Sequence, residues 1–233
     1  MKAENTTIPK KRSESKGIIR QLKEFKGLDP DWKKGRTWGL VYYANEEHSK
    51  LLKEAYTMFM SENGLNPMAF KSLKKFESEV IRMTVNLLHG DNECVGTMTS
   101  GGTESIMLAI KTYRDRARKL RPWIRKPEII VPESVHVAFD KAGKYFDVKV
   151  VHVPLMEDYR VNVKAVKKLI NRNTILLVGS APQYPQGVMD PIEELSELAL
   201  EYKLPLHVDA CVGGFVLPWI EKLGHKIPLW DFR

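Results

Sequence analysis

From about residue 95 onward, short runs of apolar and β-branched residues alternate with stretches that carry apolar residues at helical spacing. The runs are EIIV at 128–131, VKVVHV at 148–153, TILLVG at 174–179 and PLHVD at 205–209. The helical stretches begin near Thr103, Val135, Val163 and Pro191. This alternation predicts parallel βαβ units and therefore an open α/β sheet with helices on its faces.

The residues before this region show helical patterns only. Apolar residues recur at helical spacing from Leu51 to Met60, until Asn63-Gly64 interrupts them. A second helix is predicted through 72–90, with Ser72 as its cap and Gly90 at its end. We therefore divide the chain into a basic polar leader at 1–36, a helical N-terminal segment at 37–90 and a partial α/β domain at 91–233.

Most of the net positive charge lies in the leader. Residues 1–36 hold 11 Lys and Arg against 5 Asp and Glu, so 11 − 5 = +6 of the net charge of +8 belongs to them. A basic arm on a nearly neutral body is typical of a solvated tail rather than a nucleic-acid reader. We expect such a tail and no nucleic-acid partner, with attraction to an anionic membrane or a phosphorylated substrate as the alternative.

Cysteine usage and hydropathy favour a protein of the reducing cytoplasm. Cys94 and Cys211 are the two cysteines, and no cluster has the spacing of metal ligands, so neither a disulfide framework nor a metal site is predicted. The leader lacks the apolar region of a signal peptide, and no run approaches the ~18 apolar residues of a membrane span. We expect a cytoplasmic protein with no transmembrane segment.

Four segments at the predicted strand-to-helix joints carry distinctive residues. They are TSGGTES at 99–105, PESVHVAF at 132–139, SAPQYPQGVMDP at 180–191 and HVDACVGG at 207–214. Ligands of an open α/β sheet bind at the carboxyl ends of its strands, so we expect these segments to converge on one rim.

The first joint has the character of an anion site. Gly101, Gly102 and Thr103 open a helix whose free backbone N–H groups and dipole favour an anion, and the hydroxyls of Ser100 and Ser105 add donors. The segment is neither a Walker loop nor GxGxxG, which favours a single phosphate over a nucleotide. A plain glycine turn with a threonine cap is the alternative.

Two other joints carry side chains suited to a flat, basic ring. His136 can stack on a ring or shuttle a proton, or else it caps a helix or fills the core. Asp209 needs a cationic partner such as a protonated ring nitrogen, a metal or an arginine, unless it caps the next helix. Ala210 and the glycines at 213–214 leave room for a planar group. A phosphate, a flat ring and a basic ring nitrogen together describe pyridoxal 5′-phosphate.

The four joint segments resemble those of the sphingosine-1-phosphate lyases, within the group II decarboxylase-like, fold-type I enzymes that use pyridoxal 5′-phosphate. The similarity runs from about residue 36 to Arg233. It implies the large domain of the aspartate aminotransferase fold, with a mostly parallel sheet that is incomplete at its C-terminal side. The alternatives are a fragment of a group II amino-acid decarboxylase and a non-catalytic module that binds the cofactor or a partner.

The resemblance implies a role for each matching residue. Gly102 and Thr103 would bind the phosphate, His136 would stack on the pyridine ring, and Asp209 would pair with the pyridinium nitrogen. His207 would lie near the cofactor. Tyr42 and Asn63 would shape the substrate site, often across a dimer interface. Asn66 stands where many relatives have a histidine, which leaves a proton-transfer group unassigned.

The reaction implied is retro-aldol cleavage of a phosphorylated long-chain amino alcohol to a fatty aldehyde and phosphoethanolamine. It requires a lysine that holds the resting cofactor as a Schiff base, which in the family follows the segment around Asp209 on a later strand. No lysine here has that context, and Lys222 and Lys226 are expected on a solvated face. We therefore expect one part of a split or truncated enzyme, completed by a second chain or acting as a homodimer. A cofactor-binding module without turnover and an incomplete sheet that cannot fold alone are the other two hypotheses.

Overall fold

The computed structural model describes residues 7–8, 10–37, 40–66 and 68–228. The chain divides into two compact units, Met1–Gly64 and Leu65–Arg233. In the part of the chain that the structure describes, no helix is both long enough and apolar enough to cross a membrane.

The first unit is helical. Helix α1 spans Ser15–Lys26, a short 3₁₀ turn covers Trp32–Lys34, and helix α2 spans Glu46–Met58. The side chain of Asn45 accepts a hydrogen bond from the backbone N–H of His48 at 2.8 Å and so caps the start of α2. Neither helix has a buried residue.

The second unit contains the predicted alternation of strands and helices. Its helices are α3 Lys71–Leu87, α4 Gly102–Leu120, α5 Ala138–Phe146, α6 Val163–Leu169, α7 Ile192–Glu201 and α8 Gly213–Lys222. Its strands are β1 Glu128–Pro132, β2 Lys149–Val153, β3 Thr174–Ser180 and β4 Leu206–Asp209. The four strands form one sheet in the order β2-β1-β3-β4, and every neighbouring pair is parallel. The prediction of an open, parallel α/β sheet is confirmed.

Alternate residues of the central strands pack on opposite faces of the sheet. Ile129 and Val131 belong to a core with α4 and α5, whereas Ile130 belongs to a core with α6 and α7. Strand β3 divides in the same way, with Val178 on the first face and Leu177 on the second. Both strands are buried throughout, which is why their central residues form apolar runs rather than an alternating pattern.

Three details differ from the predictions. The residue before α3 is Phe70, so Ser72 lies inside the helix and does not cap it. The helix ends before Gly90, and His89 takes the positive φ of 58°. The leader contains the amphipathic helix α1, which we did not predict because the segment is rich in charged residues. No residue of this helix is buried, as expected of a solvated arm.

Candidate functional site

The carboxyl edge of the sheet holds a topological switch point between β1 and β3. From this point the chain enters α5 after β1 and α7 after β3, and these helices cover opposite faces. Loops that diverge in this way leave a crevice where ligands of open α/β sheets bind. Three of the predicted segments, at 132–139, 180–191 and 207–214, follow the carboxyl ends of strands.

The remaining segment, TSGGTES at 99–105, lies at the same edge because helix α4 starts there. The C-terminal end of α4 lies at the amino edge of the sheet, where the Arg121 guanidinium donates to the Thr174 carbonyl at 3.3 Å. At the other end, a Cβ placed on Gly102 would lie 3.8 Å from the Cys211 Sγ. The TSGGTES turn is therefore adjacent to the turn that follows β4.

The start of α4 has the open backbone expected of an anion site. The residue that precedes the helix is Gly101, with φ of 155°, and no side chain caps the helix. The predicted alternative of a threonine cap is therefore not found. N–H groups in the first turn of a helix have no acceptor within it, so those of Gly102 and Thr103 remain available to a ligand. Nothing lies within 4 Å of a Cβ placed on Gly101.

A carboxylate occupies part of this turn. Glu104 accepts hydrogen bonds from both the backbone N–H and the hydroxyl of Ser100, each at 2.6 Å. These two bonds, the hydroxyl first, hold the pKa of Glu104 below its usual value. Beside them, the hydroxyls of Thr99 and Ser105 lie 2.7 Å apart. The assignment of Ser100 as a phosphate donor stays a prediction and requires that Glu104 release it.

His136 hydrogen-bonds the start of a helix and at the same time exposes its side chain. Its Nδ1 accepts a hydrogen bond from the Ala138 N–H at 3.1 Å, at the start of α5. This bond fixes the ring at the carboxyl edge while leaving the side chain exposed. The predicted role of His136 as a ring that covers a flat ligand stays a prediction.

Asp209 ends β4 at the same edge. Its backbone carbonyl accepts from the Ala181 N–H at 2.9 Å, and its Oδ1 accepts from the Cys211 N–H at 3.2 Å. Helix α8 starts only at Gly213, so Asp209 shapes the turn and does not cap that helix. Its nearness also raises the pKa of the Cys211 thiol, although burial is the larger cause.

His207 lies one pleat below Asp209, on the same face of the strand. Its ring contacts Phe139 of α5 and Tyr113 of α4, with centroids 5.7 and 6.4 Å away. Burial lowers the pKa of His207, and the charge of Asp209 opposes that shift in part. Phe139 follows His136 by about one helical turn. Its contact with His207 therefore links the segment that carries His136 to the strand that ends at Asp209.

The turn after β4 is built around small residues. The Ala210 carbonyl accepts from the Gly214 N–H at 2.8 Å. A Cβ on Gly213 would lie only 1.9 Å from the Ala181 carbonyl oxygen, so this position accepts glycine alone. The first turn of α8 can thus approach the end of β3 closely.

Two buried polar residues of the crevice were not predicted from the sequence. The carboxylate of Asp190 accepts from the backbone N–H groups of Ser180 and Val161, at 2.9 and 3.0 Å, and burial raises its pKa. Gln183 donates from its side chain to the Tyr159 carbonyl at 3.2 Å. Both residues stabilise the loop after β3 through these hydrogen bonds. In the sequence, only their position beside prolines and a glycine in the segment 180–191 could have indicated this role.

The two predicted substrate residues belong to the first unit, and the four site segments belong to the second. Tyr42 and Asn63 lie in the first unit, so their contribution to the site stays a prediction. Asn66 lies in the second unit, and its Oδ1 accepts from the Met68 N–H at 3.0 Å. Among the described residues, no group of three or more His, Cys, Asp and Glu side chains could hold a metal ion.

The donor set fits pyridoxal 5′-phosphate. A helix start with free N–H groups and hydroxyls suits the phosphate, and the Asp209 carboxylate suits a protonated ring nitrogen. The space over Gly101 is open. Among the described residues, the buried Ser134 hydroxyl has no hydrogen-bond partner. Ser134 lies two residues before His136, so the loop offers one buried hydroxyl that a bound ligand could satisfy.

Known proteins are similar to this chain in sequence and in fold. The chain is 46% identical to sphingosine-1-phosphate lyase 1 of Mus musculus over 97% of its length and 40% of that protein. It is 38% identical to a probable L-aspartate decarboxylase of Pyrococcus furiosus, over 97% of the chain and 58% of that protein. The solved sphingosine-1-phosphate lyase of Burkholderia pseudomallei matches with a TM-score of 0.92 and 38% identity, over 99% of this chain and 55% of that one.

These matches fix the family and the fold, while the chain spans about two-fifths of the length of the mouse lyase. Residues 41–231 match the pyridoxal-dependent decarboxylase conserved domain, which includes every segment of the candidate site. The chain belongs to the pyridoxal-dependent decarboxylase family, and its cofactor is pyridoxal 5′-phosphate.

Proposed function

We propose that this chain provides the cofactor-binding part of a carbon–carbon lyase that cleaves a phosphorylated long-chain amino alcohol into a fatty aldehyde and phosphoethanolamine. The observation that carries the proposal is the convergence of a helix-start anion site, His136 and Asp209 at one edge of a parallel sheet. The likeness to named sphingosine-1-phosphate lyases, at 46% identity for the mouse protein, supports the choice of substrate.

In the proposed site each residue has a separate task. The N–H groups of Gly102 and Thr103 hold the cofactor phosphate, with Ser100 and Gly101 completing the turn. His136 lies against the ring, and the small side chain of Ala210 leaves space for it. When bound, pyridoxal phosphate supplies an electron sink for the pair of electrons released by bond cleavage.

Asp209 keeps a proton on the ring nitrogen and so maintains that sink. His207 packs below it as a neutral imidazole, because burial lowers its pKa and Phe139 and Tyr113 enclose its ring. It therefore packs beneath the end of β4 without adding charge. Tyr42 and Asn63 contact the substrate, and we propose that they do so from the second copy of a homodimer.

The four site segments contain no lysine. The lysine that holds the resting cofactor must therefore lie elsewhere in this chain or in another one, and we propose a complementing chain or segment. Incubation with pyridoxal phosphate, reduction with borohydride and intact-mass measurement of every co-purifying chain locate it. An adduct on a second chain supports the proposal, whereas one site-specific adduct on this chain that activity requires would overturn it.

The activity itself is tested by D209N in the complete enzyme. We expect kcat/KM for a phosphorylated sphingoid base to fall about a hundred-fold or more, since the ring nitrogen loses its carboxylate. D147N is the matched control, because it removes the same charge from the exposed residue that follows α5, away from the carboxyl edge. Equal activity of D209N and wild type contradicts the assignment.

Amino-acid decarboxylation is the second candidate, because the match to the probable L-aspartate decarboxylase covers 58% of that protein. The two reactions differ in product. Release of carbon dioxide from an amino acid, with no aldehyde formed from a sphingoid phosphate, would select the decarboxylase.

A further inference from the structure

The turn before helix α4 contains a backbone that side-chain packing does not hold. Gly101 has a φ of 155°, and no described residue lies within 4 Å of a Cβ placed on it. A glycine has more backbone freedom than any other residue. The N–H groups of Gly102 and Thr103 therefore keep one direction only if hydrogen bonds fix the turn that precedes them.

Glu104 provides two such bonds. Its Oε2 accepts from the backbone N–H and from the hydroxyl of Ser100, each at 2.6 Å. The same bonds hold the pKa of Glu104 below its usual value, so the carboxylate is ionised at neutral pH. Hydrogen bonds to an ionised acceptor are stronger than neutral ones. Glu104 thus ties the first turn of α4 to the residue before Gly101.

Two hydroxyls add to this network. The Thr99 hydroxyl donates to the Gly101 carbonyl at 3.1 Å and lies 2.7 Å from the hydroxyl of Ser105. The same carbonyl accepts from the Ser105 N–H at 3.1 Å. The network engages residues on both sides of the two glycines, whereas the first N–H groups of a helix have no acceptor within it.

We propose that Glu104 is a positioning residue for the phosphate of pyridoxal 5′-phosphate. By holding Ser100 it fixes the turn in which the N–H groups of Gly102 and Thr103 bind that phosphate. Ser100 then acts through Glu104 and does not itself donate to the phosphate. This inference rests on the proposed placement of the phosphate at the start of α4.

The alternative is that Glu104 competes with the phosphate for Ser100. A phosphate that displaced Glu104 would break both bonds and leave an unpaired carboxylate beside a second anion. A turn that is already held, in contrast, loses less conformational freedom when the ligand binds. Positioning is therefore favoured over competition, and the two roles predict opposite effects of removing the carboxylate.

Titration of the complete enzyme with pyridoxal 5′-phosphate, and with pyridoxal, which lacks the phosphate, tests the proposal. We expect E104A to raise the dissociation constant of pyridoxal 5′-phosphate about ten-fold, because the turn is no longer held. The constant for pyridoxal should stay within about two-fold of the wild-type value. A general loss of structure would weaken both ligands alike.

A conservative variant and a matched control accompany E104A. E104Q keeps an acceptor oxygen for Ser100, so it should bind pyridoxal 5′-phosphate within about three-fold of the wild type. E194A removes an exposed carboxylate from the first turn of α7 instead. It should bind both ligands as the wild type does.

A double-mutant cycle determines whether Ser100 acts through Glu104. S100A removes one of the two bonds and should weaken binding of pyridoxal 5′-phosphate about three-fold. In the E104A background it should cost nothing more, because the partner of the hydroxyl is already absent. If Ser100 instead donated to the phosphate, S100A would weaken binding in both backgrounds, and E104A alone would bind more tightly than the wild type.

Three results would overturn the proposal: wild-type or tighter binding of pyridoxal 5′-phosphate by E104A, equal weakening of both ligands, and no rescue by E104Q. Urea denaturation of each variant verifies that the fold is intact. Aldehyde release from a phosphorylated sphingoid base is measured separately. An enzyme that shows the expected binding pattern but releases no aldehyde contradicts the proposed function and supports the role of Glu104. An active lyase whose E104A variant binds normally contradicts the role of Glu104 alone.

Discussion

The parallel sheet and the helices α1 to α3 differ in what their apolar residues do. Strands β1 and β3 are buried throughout, and α4, α5 and α7 each bury several apolar residues against the sheet. Helices α1, α2 and α3 have the same amphipathic spacing but bury none. Amphipathic spacing thus predicts a helix, but only the fold shows whether the apolar face of that helix is buried.

The largest effect is expected where the sheet region is packed most closely. In G213A the new Cβ would lie 1.9 Å from the Ala181 carbonyl oxygen, a backbone atom that cannot move without disturbing β3. We expect a loss of about 4 kcal/mol or more in unfolding free energy, or no folded protein. Chemical denaturation measures it.

The neighbouring glycine provides the control for G213A. A Cβ on Gly214 would meet the Cβ of Ala210 at 3.7 Å, an ordinary contact. G214A should therefore be neutral or slightly stabilising in α8. If both variants lose the same stability, the close approach at Gly213 is not the cause of the loss in G213A.

The second effect compares one leucine from each region. Leu177 in β3 is fully buried, whereas Leu51 in α2 is 61% exposed. L177A should cost about 3 kcal/mol through lost burial and a residual cavity, and L51A should change stability by less than about 0.5 kcal/mol. Urea denaturation of both decides. A large loss in L51A would mean that α2 is part of a core after all.

The sequence predicted the sheet region better than the helical one, for a physical reason. Buried strands such as β3 need apolar runs, and turns with a positive φ need residues such as Gly101, so both leave local signals. The burial of Asp190, the close approach at Gly213 and the grip of Glu104 on Ser100 depend on contacts that no local pattern encodes. Likewise, the positions of the strand-to-helix joints predicted which residues share the carboxyl edge. They did not predict that the His207 ring contacts Phe139 and Tyr113 below that edge.

The third effect is a change in pH dependence at the base of the site. Burial keeps the folded pKa of His207 below its ordinary value of 6.5, so its contribution to stability is complete above that pH. It is lost as the pH falls through the lowered folded pKa, because the unfolded chain binds the proton first. H207F keeps a ring beside Phe139 but does not titrate. We expect its stability to decline less than that of wild type between about pH 7 and pH 5.

A matched variant isolates this effect. Y113F retains His207 and an aromatic ring beside it. Its urea midpoints should therefore follow the wild-type slope across the same pH range. Parallel slopes for H207F and wild type would show that the imidazole is not the group whose protonation destabilises the fold.

The smallest effect compares two equivalent caps. Asn162 accepts from the Ala165 N–H at 3.1 Å at the start of α6, and Asn45 accepts from the His48 N–H at 2.8 Å at the start of α2. N162A should lower the unfolding free energy of the sheet region by about 1 kcal/mol. N45A should leave that value unchanged and instead speed hydrogen exchange in α2, because a helix without buried residues opens on its own. Denaturant midpoints and exchange mass spectrometry of both variants distinguish these outcomes. Equal shifts in the midpoint would show that α2 unfolds together with the sheet, and the contrast between the two regions would then be one of exposure alone.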